Sequence, residues 1–164
     1  RELASYRRRV DAYETFASGR AAYLSGNWQE AEKKLSSVNE QGLHPFERRR
    51  MAMMLTESRK LTQETARASE LLAAAQQQFE KGQYISASEM LAELRKTDAY
   101  HSEKSLQKKA GSLKEAIERK EKEAAELYQK AVEANQQEDM ERLNELLTKL
   151  DKNYKHTRTY ERHL

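Results

Sequence analysis

Apolar residues in this chain recur at steps of three and four, the spacing that keeps one side of an α-helix against a neighbour. Met51, Met54, Ser58, Leu61, Thr65, Ala68, Leu72, Ala75 and Phe79 hold that step between Phe46 and Lys81, with no Gly or Pro between. Leu106, Ala110, Leu113, Ile117, Lys120, Ala124, Leu127, Ala131 and Ala134 hold it again. Each seam predicts one long helix; ~36 residues at 1.5 Å per residue would span ~54 Å. Leu3, Tyr6, Val10, Tyr13, Ala17 and Leu24 predict an earlier long helix. Short amphipathic helices are predicted at about 28–38, 84–94 and 140–150. The spacing of Ser112 and Glu115 is that of a capping box, so Gly111-Ser112 is the one predicted break in the later seam.

The short helices share a register. Gly26, Trp28, Ala31, Leu35 and Val38 recur 56 residues later as Gly82, Tyr84, Ala87, Leu91 and Leu94. The same step again reaches Glu138, Met140, Leu143, Leu147 and Leu150, where the glycine is lost and the apolar spacing survives. The expected fold is therefore all-α, an elongated array of antiparallel hairpins, each a long helix plus a short one. The units are approximately 1–44, 45–100 and 101–153, with 154–164 as a tail or capping segment. Gly26 and Gly82 stand where the chain reverses, a place suited to the positive φ that glycine reaches cheaply. Pro45 can open the second long helix, and Ser102 is placed to cap the third.

Gly19, Tyr23, Gly26, Trp28, Ala31 and Leu35 resemble a tetratricopeptide repeat, and Ala75, Phe79, Gly82, Tyr84, Ala87 and Leu91 repeat the pattern. The resemblance implies a solenoid-like stack that binds peptide segments. It implies close helix approach at the small residues Gly19, Ala31, Ala75 and Ala87, with Trp28 and Tyr84 packed beneath their turns. It places Arg20, Tyr23, Gln76, Phe79, Val132 and Asn135 toward a candidate partner-binding surface. That family repeats every 34 residues, so a 56-residue period leaves 22 more, about six helical turns at 3.6 residues each. Such an insertion lengthens a helix while keeping its facing side.

Composition narrows the chemistry. Charged residues make up 35% of the 164 and apolar residues 37%, with a mean hydropathy of −1.06. No stretch approaches the ~20 apolar residues of a membrane-spanning helix. There is no cysteine, hence no disulfide, thiol nucleophile or thiolate metal site. The four histidines do not cluster: His44 and His101 fall before long helices, and His156 and His163 are too far apart for i, i+4 chelation. Glutamates alternate with Lys and Arg along solvated helix faces. No glycine-rich phosphate loop exists. The chain reads as non-catalytic, with no cofactor, metal or small-molecule substrate. Arg7-Arg8-Arg9 and Arg48-Arg49-Arg50 each splay around a helix at ~100° per residue. With a net charge of +3, nucleic acid and anionic membrane are disfavoured as partners. The expected role is a scaffold or adaptor for another protein or peptide segment. The alternative is a structural coiled-coil or spacer element that self-associates. Starting at Arg1 rather than Met, the chain reads as part of a larger protein. A cytoplasmic location is the default expectation, and the lack of cysteine suits a periplasmic or exported setting equally.

Overall fold

Both seams form continuous helices in the computed structural model, which describes residues 2–164; Arg1, where the first expected unit begins, lies outside them. Every regular element among the described residues is helical: α1 (Glu2–Leu24), α2 (Trp28–Ser36), α3 (Pro45–Glu80), α4 (Tyr84–Arg95), α5 (Asp98–Ser102), α6 (Lys104–Gln136), α7 (Met140–Tyr154) and α8 (Arg158–His163). A 3₁₀ turn occupies Glu40–Gly42. The named positions of both seams are all buried or half-buried. The chain divides into two compact units, one up to Ala66 and one from Arg67 to Leu164, with the boundary inside α3.

In the first unit α1 packs on α2 across a three-residue turn. Its core gathers Ala12 and Phe16 from α1, Ala31 and Leu35 from α2, Val38 and Leu43 from the connection, and Met51 and Met54 from α3. Small residues set the spacing: a Cβ on Gly19 would lie 2.6 Å from Leu35 Cδ2, inside contact distance. The apolar positions that predict α1 are not the ones it buries. Leu3, Tyr6, Val10, Tyr13 and Leu24 are exposed, whereas α1 buries Ala12, Phe16, Gly19 and Ala22. Close helix approach favours Ala and Gly at the contact, so hydrophobicity alone points to the wrong side.

The helix ends at Leu24, Glu80 and Gln136 reverse through one hydrogen-bond pattern. Gly26 N–H donates to Tyr23 O at 3.1 Å and Asn27 N–H to Ala22 O at 3.0 Å. Gly82 with Gln83, and Glu138 with Asp139, repeat both bonds at equivalent positions. This is the Schellman closure, which satisfies two orphan carbonyls and needs a left-handed residue after the helix. Gly26 (φ 77), Gly82 (φ 75) and Glu138 (φ 58) supply it. Glu138 thus keeps the geometry where the glycine is lost. Asn27 and Asp139 then cap the next helix by accepting N–H bonds from Glu30 and Arg142.

The second unit has two apolar clusters. Ala68 and Ala75 of α3 pack with Tyr84, Leu91 and Leu94 of α4 and with Leu106, Leu113 and Ile117 of α6. Further along, Ala131, Ala134 and Leu146 join α6 to α7. Two local expectations fail here. Gly111-Ser112 does not break α6: the Ser112 hydroxyl donates back to Lys108 O at 3.2 Å, a bond made inside a continuous helix. Nor does Ser102 cap it, since its hydroxyl donates to Asp98 O at 2.6 Å. Thr97 instead starts the short α5, accepting from Tyr100 N–H. The C-terminal residues dock on α6. Arg158 N–H donates to both Glu121 carboxylate oxygens at 3.0 and 3.1 Å, and the His163 ring stacks on Tyr128 at 4.4 Å.

Candidate functional site

In the first unit two tyrosine–glutamate bonds join α1 to the start of α3. Tyr13 donates to Glu47 and Tyr23 to Glu57, each pair 34 residues apart. A constant offset in the same direction means that these two segments run parallel in one register. The carboxylate acceptors hold both tyrosine hydroxyls protonated above their ordinary range. Tyr23 also meets Trp28 edge-on, with ring centroids 5.6 Å apart, and Phe79 meets Tyr84 in the same way at 5.6 Å.

The second unit leaves the corresponding face open. Fifty-six residues beyond the two pairs stand Ser69 with Glu103 and Phe79 with Leu113; the second pair has no polar group to bond, and no bond joins the first among the described residues. Ser69, Phe79 and Leu113 face a common opening. All three line an apolar groove of about 730 Å³ between the end of α3 and the start of α6. From α3 come Ser69, Leu72, Ala73, Gln76 and Phe79; from α6 come Ser105, Leu106, Lys108, Lys109, Ser112, Leu113 and Ala116. Among the described residues no carboxylate lines it. Between Lys104 and Lys114, α6 carries Lys108 and Lys109 as well and no acidic residue.

Of the six candidate surface residues, the structure brings Gln76 and Phe79 into this groove. Gln76 is exposed and donates to Glu80 at 3.1 Å. Arg20 and Tyr23 lie half-buried on α1 in the other unit, the buried Arg20 Nε without an acceptor among the described residues. Val132, half-buried, and Asn135, exposed, sit in the last turns of α6, away from the groove lining. The α6 side was missed because Lys108, Lys109 and Ser112 are polar and read as an ordinary solvated helix face. Of the packing residues, Ala31, Ala75 and Ala87 are fully buried.

A second cluster joins α6 to α7. Lys120 Nζ lies 2.7 Å from Glu123 Oε2, which also accepts from the Tyr154 hydroxyl at 2.9 Å. The Lys120 and Tyr154 bonds hold the Glu123 carboxyl below its ordinary range. Hydrogen bonding to Glu123 holds Lys120 above its own. Among the described residues no three His, Asp or Glu side chains gather as metal ligands. No helix among them is long and apolar enough to cross a membrane. No protein-family model, curated protein or solved structure matches the chain.

Proposed function

We propose that this protein is a non-catalytic protein–protein interaction module of tetratricopeptide-like hairpins, and that the α3–α6 groove is its partner-binding surface. The observation that carries this reading is an apolar groove lying where the other unit closes the same positions with tyrosine–glutamate bonds. The parallel register of α1 and α3 supports the hairpin assignment, because its offset of 34 residues equals that family's period. On this reading α3 follows α1 at the ordinary step, and its additional turns then pair with α4, which accounts for the longer period.

The occupant is an amphipathic helical segment of another protein. Ser69 to Phe79 covers ~15 Å of helix, the length of about three turns of a docked helix. An apolar stripe on that segment would cover Leu72, Phe79 and Leu113. Acidic residues at its edge would face Lys108 and Lys109 across a groove that no carboxylate among the described residues lines.

A photo-crosslinking amino acid at Gln76, compared with one at exposed Gln129 on α6, tests this in the source cell. A discrete adduct with a second polypeptide at 76, absent at 129 and lost on Leu72→Glu, is the expected result. Adducts of equal yield at both positions, or none at either, would overturn the assignment. A structural, self-associating role is the second reading, favoured by the uncovered stripe on α1.

A further inference from the structure

That stripe has the spacing of a coiled-coil seam. Leu3 is 85% exposed, Tyr6 62%, Val10 54%, Tyr13 38% and Leu24 68%. With Ala17 they fill the a and d places of successive heptads, Leu3, Val10, Ala17 and Leu24 at a and Tyr6 and Tyr13 at d. At 100° per residue this set centres roughly 150° around the helix from buried Ala12, Phe16, Gly19 and Ala22. The stripe and the contact with α2 are therefore separate faces of α1, with Tyr13 at the stripe's edge, 38% exposed and its hydroxyl bonded to Glu47 of α3.

We infer that the stripe is a self-association surface, on which α1 of a second copy lies parallel and in register. Charge selects that occupant. In a parallel pair, each g residue faces the e residue five places on in its partner. Arg9 holds g and Glu14 holds the matching e, so each copy's Arg9 meets the other's Glu14. One heptad earlier Glu2 and Arg7 hold the same two places with the signs exchanged. A second copy thus answers both charged positions on each flank of its own stripe. Arg20, half-buried, takes the last d place. A polar residue at one core place sets register at a cost in affinity.

Sedimentation equilibrium of the intact chain tests this. The expected result is a reversible monomer–dimer equilibrium. Arg9→Glu alone or Glu14→Arg alone weakens it about tenfold, since each sets like charges opposite one another twice in the dimer. The double exchange restores it. These two side chains are exposed, and unchanged helicity by circular dichroism confirms that each variant folds. The chain has no cysteine, so Tyr6→Cys adds a single thiol at a d place. Mild oxidation should then link two copies, because like d residues meet across a parallel seam. A monomer at every concentration overturns the inference. So does a dimer indifferent to the exchanges, or one in which the position-6 thiols remain unlinked.

Discussion

Glycine at position 82 and glutamate at position 138 adopt the same left-handed turn, so exchanging their chemistry should move stability in opposite directions. A non-glycine residue at positive φ costs about 1–2 kcal/mol, while glycine adds about 0.4–1 kcal/mol of unfolded-chain entropy to be lost. Glu138→Gly removes the first cost and accepts the second. The net gain is about 0.5–1 kcal/mol, because the Glu138 side chain forms no ion pair or hydrogen bond among the described residues. Gly82→Ala reverses the account. A Cβ there meets nothing within 4 Å, so no clash adds to the loss of about 1 kcal/mol, which is the backbone strain less the unfolded-chain entropy that alanine removes. Both positions lie in the unit from Arg67 to Leu164, so one transition reads both. Thermal unfolding followed by far-ultraviolet circular dichroism should show the midpoint about 4 °C higher for Glu138→Gly and about 4 °C lower for Gly82→Ala. Glu138→Ala keeps the strain without the charge and should match the parent. If Glu138→Gly fell to or below the parent, the equivalence of the turns would be refuted.

Other changes separate packing from propensity. Gly19→Ala should destabilise by about 1–2 kcal/mol, since its Cβ would press on Leu35, itself 1% exposed. Gly111→Ala, within α6 and with open space around it, should stabilise by about 0.5–1 kcal/mol; thermal midpoints distinguish the two. Ser58 is fully buried and its hydroxyl has no partner among the described residues, so Ser58→Ala should gain about 1 kcal/mol in urea titration. Glu123 titrates below its ordinary range in the folded chain. Its stabilising contribution is complete above the unfolded value, about pH 4.3, and is lost as pH falls through the lower folded value. Glu123→Gln should flatten that acid limb, and an unchanged slope in unfolding measured across it would count against the Lys120–Glu123–Tyr154 cluster.

The long helices were legible because their contacts are spread over many turns. A step of three and four sustained from Met51 to Phe79 survives a polar Ser58 or Thr65. α1 was legible as a helix but not in its orientation. It carries two stripes, and the bulkier one, from Leu3 to Leu24, is not the one the fold buries. The turn at Glu138 was marked in sequence only by a missing glycine, since hydrogen bonds between backbone atoms leave the side chain free to vary. α5 was too short to show any period, and Thr97 does locally what Ser102 was placed to do. The candidate groove was half visible. Its α3 wall includes Gln76 and Phe79, which the turn motif singled out, whereas its α6 wall depends on how two distant helices meet. The tyrosine–glutamate bonds of α1 and α3 could have been sought as partners at a fixed offset of 34, the one sequence signal that would have exposed the register.

The edge-on contact of Tyr23 with Trp28 places the chain's single tryptophan at the first turn. Its emission therefore samples only the unit that ends at Ala66, while helical ellipticity sums over both. The molecule carries a built-in optical label for one half of itself. Coincident loss of the two signals on denaturation would mark a single cooperative transition. A fluorescence change that precedes or trails the loss of helicity would mean that each half melts on its own schedule, and the gap between the two midpoints would measure how weakly one half senses the other.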